Sequence, residues 1–85
     1  MEYYLMPQYK NVKSYGNKAV VKVTENSKLL KSYNVLVCSI INDKVVVYGT
    51  YSNTTLRHIK EFLLQNGFKA ESKKQIESDY MGGSL

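Results

Sequence analysis

Few residues in this chain could do covalent or acid–base chemistry. There is one histidine, His58, one cysteine, Cys38, and seven carboxylates. A catalytic histidine needs a partner that orients its second ring nitrogen, and a zinc site needs several His or Cys ligands. His58 has neither, so it reads as a structural or surface residue. Cys38 lies in a β-branched run and reads as a small buried hydrophobe, not a nucleophile. No carboxylate pair falls at a spacing that marks an acid/base site. The chain is therefore expected not to be an enzyme and to use no cofactor and no metal. Ser52-Asn53-Thr54-Thr55, with Arg57 close behind, could hold an anion at a helix start. The same hydroxyls are what any well-capped helix carries, and capping is the simpler reading.

The second chemistry on offer is electrostatic. The net charge of +5 is concentrated near the start of the chain. Residues 8–31 hold Lys10, Lys13, Lys18, Lys22, Lys28 and Lys31 against Glu25 alone. Tyr3, Tyr4, Tyr9 and Tyr15 interleave with them or precede them. Lysines neutralise phosphates and tyrosine rings stack on unpaired bases, so these lysines, with Arg57, form a candidate nucleic-acid-binding set. The competing reading is a strand edge kept soluble by lysine. Arg57 is the only arginine, and arginine is the better residue for two-point recognition of phosphate and bases.

The elements that must position these groups fit in one domain. Eighty-five residues, 44% hydrophobic and 22% charged, are too apolar for disorder and too few for two domains. A lone cysteine excludes an internal disulfide. No apolar run approaches the roughly 18 residues of a membrane span, and Met1–Pro7 lacks the pattern of a secretory signal. A reducing cytoplasm is the expected setting, with no membrane partner.

Residues 1–17 lack a clean period and are expected to be irregular, with at most one short strand. Residues 18–25 alternate as a strand, with Ala19, Val21 and Val23 on one side. Residues 29–41 form a long β-branched run, either one bulged strand or two pieces broken near Lys31-Ser32. Asn42-Asp43 suits a two-residue hairpin loop, because both tolerate positive φ. Residues 44–51 make the return strand. That turn sets Ile41 opposite Lys44, Ile40 opposite Val45 and Cys38 opposite Val47. One face then carries Leu36, Cys38, Ile40, Val45, Val47 and Gly49 and belongs to the core. The other carries Val35, Val37, Ser39, Ile41, Lys44, Val46, Tyr48 and Thr50, and is too apolar to be simply wet. Either the tyrosine-rich N-terminal segment covers it, or another chain does, as a homodimer or a protein partner.

Residues 52–67 read as the main helix, with Leu56, Ile59, Phe62 and Leu63 on its apolar stripe. Asn66-Gly67 suits a left-handed stop, with Phe68 packing back. Ser72-Lys73-Lys74-Gln75 starts a short second helix over 72–80, and residues 81–85 form a flexible tail. The expected fold is α+β: a three-stranded antiparallel meander with one main helix on one face and a short C-terminal helix, as a single domain over 1–85.

Ser32-Tyr33-Asn34, the hairpin that follows, and above all Tyr51-Ser52-Asn53-Thr54-Thr55-Leu56-Arg57-His58-Ile59 resemble a family of small proteins. Phages and prophages of low-GC Gram-positive bacteria encode that family, and it has no assigned activity. The resemblance covers residues 32–68 and implies a context, a phage accessory protein in the host bacterial cytoplasm, rather than any site residue. Such proteins often work by occupying a surface of a host machine, and inhibitors of CRISPR nucleases are one such group. The expected function is thus non-covalent binding to a host protein, which could be a CRISPR nuclease. Tyr9, Tyr15, Val35, Val37, Ile41, Val46 and Tyr48 are the candidate protein-binding residues. The alternative is a basic nucleic-acid-binding accessory protein.

Overall fold

A computed structural model describes residues 1–9 and 15–81. Lys10, Lys13 and all of the expected tail beyond Met81 lie outside the described residues. The chain forms β1 (Glu2–Tyr4), β2 (Ala19–Val23), β3 (Ser27–Ser32), β4 (Val35–Ile41), β5 (Lys44–Val47), α1 (Asn53–Gln65) and α2 (Lys73–Ile76). A wider helical turn, Glu77–Met81, continues α2.

The fold is α+β, but its sheet has five strands, not three, in the order β1-β2-β3-β4-β5 and antiparallel throughout. Two corrections account for the extra strands. Residues 2–4, expected to lie in an irregular segment, pair with β2, with Tyr3 opposite Val21. The long run over 29–41 is two strands, the second of its two readings, with the break at residues 33–34 in place of Lys31-Ser32. They are joined by Tyr33-Asn34, both at positive φ (52° and 66°), the backbone signature of a tight hairpin loop. The run is also bulged: the β3–β4 register shifts at Leu30/Lys31, where Leu30 faces Cys38 and Lys31 faces Leu36.

That bulge exchanges the faces assigned to Val35 and Leu36. Leu36 pairs with Lys31 on the side away from the helix and is exposed, not core. Val35 pairs with Ser32, whose side chain points at α1. One extra residue in a strand inverts the faces of everything beyond it. Past the bulge the anticipated register holds: Ile41 faces Lys44, Ile40 faces Val45 and Cys38 faces Val47, around an Asn42-Asp43 loop with both residues at positive φ.

The core lies between one sheet face and α1. Val21, Leu30, Cys38 and Val47 run across four strands in one register row, and all are buried, as are Ile59, Phe62 and Leu63 of the helix. Ser52 caps α1 by accepting the Thr55 N–H at 3.2 Å. At the other end Phe68 N–H reaches Leu63 O and Gly67 N–H reaches Leu64 O, with Gly67 at φ 83°. Those two bonds satisfy otherwise orphan carbonyls, and the left-handed residue is the one lacking a β-carbon. Gly49 has a local cause too: a β-carbon there would come within 2.6 Å of the Tyr51 ring.

Candidate functional site

The described N-terminal residues run toward the helix side of the sheet. After β1, Leu5 donates its N–H to Ala19 O and enters the core. Met6 O accepts from Gln65 Nε2 at 2.6 Å, and Tyr9 N–H donates to Glu61 Oε1 at 3.0 Å. Glu61, expected to lie off the apolar stripe of α1, is buried and accepts from Gln65 through its other oxygen. Tyr15 meets His58 edge-on, ring centroids 4.7 Å apart. So Tyr9 and Tyr15 stand on the helix side. Past β1, the described residues of the tyrosine-rich segment that could have covered the second sheet face are directed to the opposite side.

That second face, called here the open face, is built by alternation. Glu2 and Tyr4 of β1, Val20 and Lys22 of β2, and Leu29 and Lys31 of β3 fall on it by register. Leu36, Val37, Ser39 and Ile41 of β4, Lys44 and Val46 of β5, and Tyr48 just beyond complete it. Tyr4, Ile41 and Tyr48 are 57%, 44% and 47% exposed; Val20, Leu29 and Val46 are half-buried.

Tyr48 organises one end of this face. Its N–H bonds Val37 O at 2.8 Å, and its hydroxyl lies 3.0 Å from Ser39 Oγ. Backbone and hydroxyl are thus tied to residues two apart on β4, so the ring lies along that strand. Val37 and Ser39 are both buried, although they belong to the open face; the ring above them gives the physical reason. Of the anticipated protein-binding set, Val37, Ile41, Val46 and Tyr48 come together here, with Val37 as the floor. Val35, Tyr9 and Tyr15 do not. Thr50, assigned to this face, is instead buried, with its hydroxyl donating to Glu77 Oε2 at 3.1 Å.

The described members of the anticipated nucleic-acid set are scattered. Lys22 and Lys31 are on the open face. Lys28 lies on the helix side, donating to Asn66 Oδ1 at 2.5 Å. Lys18 sits 5.9 Å over the Tyr33 ring, beyond the far end of β2. Arg57 is on α1, across the sheet from the open face.

His58 is buried and belongs to a polar cluster. Its Nδ1 lies 2.8 Å from Ser32 Oγ, which is 3.0 Å from Thr55 Oγ1. Burial, then the nearby Lys18 ammonium, pushes the His58 pKa down, favouring the neutral ring. The cluster fastens α1 to β3. With Ser52 capping and Thr55 bonded to Ser32, the helix-start hydroxyls considered as an anion site are engaged in the fold itself. Cys38 is buried, and burial pushes its thiol up to about 12. Among the described residues, no three His, Cys, Asp or Glu side chains gather as metal ligands, and no helix is long and apolar enough to cross a membrane.

Sequence reasoning missed Tyr4, Leu29 and, because of the bulge, Leu36 as open-face residues. Their signal was there, in the alternation of β2 and β3, but it needed the pairing of β1 and the break at Tyr33-Asn34. The chain belongs to a family of unknown function, DUF8033, whose model matches residues 3–78. No curated protein and no solved structure matches it.

Proposed function

We propose that this member of the DUF8033 family is a non-enzymatic module that binds a partner protein on the open face of its sheet. One observation carries the reading: past β1, the described N-terminal residues are held on the helix side, while Ile41, Val46 and Tyr48 remain at the surface of the other. A sheet with one face against a helix and an apolar face turned to solvent is an arrangement used for association. Tyr48 suits an anchor, because its ring is already fixed by Ser39 and loses little freedom on binding.

The resemblance over residues 32–68 supplies the setting: a phage accessory protein that occupies a host bacterial protein, with a CRISPR nuclease among the candidates. The nucleic-acid reading has less support, since its described lysines are divided between the two faces and the end of the sheet.

The test is affinity purification from a Gram-positive bacterial lysate treated with nuclease, using the wild type and Ile41→Ser/Val46→Ser. The expected result is a near-stoichiometric protein retained by the wild type and lost with the variant, whose circular dichroism matches the wild type. Retention that the variant leaves unchanged, or that nuclease abolishes, refutes the reading.

A further inference from the structure

We infer that the partner surface received by the open face is apolar at its centre and rimmed by carboxylates; this rests on the docking reading above. The open face has its own charge pattern. Lys22, Lys31 and Lys44 are exposed on it, and among the described residues Glu2 is its single acid. Glu2 stands directly opposite Lys22, which leaves Lys31 and Lys44 without a facing carboxylate. The ion pair found among the described residues, Lys69–Glu71, lies elsewhere. Between the lysines are Leu29, Val46, Ile41 and the Tyr48 ring. Lysine stems can lie along such apolar surface while their ammonium groups reach its margin. An anionic rim on the partner would meet those groups, and a cationic one would be repelled.

The same pattern argues against two other occupants. A second copy of this chain would bring a net positive patch, Lys22, Lys31 and Lys44 with Glu2, against the same patch, a net like-charge contact in a partly desolvated interface. Single-stranded nucleic acid would use aromatic faces for successive bases. The face offers Tyr4 and Tyr48 at opposite margins, four strand spacings or about 19 Å apart. Branched aliphatic side chains and lysine stems fill the interval. Neighbouring bases cannot share those two rings.

The experiment uses the full chain as bait for a random dodecapeptide display library, with Ile41→Ser/Val46→Ser and Lys31→Glu/Lys44→Glu as parallel baits. Ile41→Ser alone, at an exposed position, replaces the double variant should that fail to fold. The expected peptides join Asp or Glu to an aromatic or aliphatic centre and are lost with the apolar variant. Their Kd should weaken by roughly tenfold or more on lysine reversal. Peptides lost with the apolar variant but neutral, and indifferent to lysine reversal, overturn the carboxylate rim and leave the docking face standing. Peptides indifferent to both variants overturn the docking face as well. Binding of a fluorescent oligothymidine, lost on lysine reversal and falling steeply with salt, overturns the inference in favour of nucleic acid.

Discussion

The Tyr48 hydroxyl and Ser39 Oγ lie 3.0 Å apart on the open face of the sheet, and Ser39 is fully buried although α1 packs on the other face. A serine without water must find its partner in the protein, and Tyr48 supplies it while roofing Val37. Tyr48→Phe keeps the roof but leaves the serine hydroxyl unsatisfied, at a cost of about 1–3 kcal/mol. Tyr48→Phe/Ser39→Ala removes both ends and should recover most of that loss. Urea denaturation of the two variants measures the difference; equal destabilisation of both would show that the bond contributes nothing.

Stability should fall with acidification, through His58. The folded protein holds its pKa below the ordinary 6.5, by burial first and by Lys18 second, whereas the unfolded chain titrates at that ordinary value. Below about pH 6.5 the unfolded state therefore takes up a proton that the folded state refuses. The contribution is fully present above that pH and declines as the pH drops through it toward the lower folded value. The other groups facing the ring are Tyr15, Tyr33, Ser32 and Thr55. Urea midpoints from about pH 7.5 to about pH 5 should decline for the wild type and be flatter for His58→Asn, though that variant starts lower.

Leu63 is buried on α1, among the residues facing the Val21–Leu30–Cys38–Val47 row. Leu63→Ala should cost about 2–5 kcal/mol, a large share of the stability of a domain this small. Thermal melts followed by circular dichroism would show a strongly lowered Tm or no cooperative transition. A shift of only a degree or so would mean that the helix contributes little to the core.

Cys38 should be inert in the folded chain. Its thiol is buried in the core row and raised to about 12, so almost no thiolate exists near neutral pH. A disulfide reagent should label it at the rate of unfolding in native buffer and at once in denaturant. Rapid labelling in native buffer would contradict the burial.

What could be read from the sequence was whatever depends on local chemistry. The Asn42-Asp43 loop fixed a register that survives residue by residue. Ser52, Gly67 and Phe68 mark the ends of α1 through caps that need only the neighbouring backbone. Hence Val37, Ile41, Val46 and Tyr48 could be grouped on one face in advance. The rest depends on tertiary placement. β1 is three residues long and has no period to detect; its strand identity comes from β2. Glu61 is buried because a distant tyrosine N–H meets it, and Tyr9 and Tyr15 leave the open face because the chain turns toward α1 after Leu5. No pattern within those residues carries that information.

The break between β3 and β4 was hidden by its residues. Tight hairpin loops with two positive φ values favour Asn-Gly, because L side chains are strained there. Here the first position is Tyr33 at φ 52° and the second Asn34 at φ 66°. Tyr33 gains little in return: its ring is 6.0 Å from His58 and 5.9 Å from the Lys18 ammonium, and it is half exposed. Local strain should therefore outweigh contact energy. Tyr33→Asn/Asn34→Gly is expected to stabilise the fold by about 1 kcal/mol and raise Tm by roughly 4–8 °C for a domain of this size. Unchanged partner binding in the purification above would separate turn strain from the open face. A fall in Tm would mean that the Tyr33 ring supports the His58 cluster more than its distances imply, and would make the tyrosine, not the turn, the reason this loop departs from Asn-Gly.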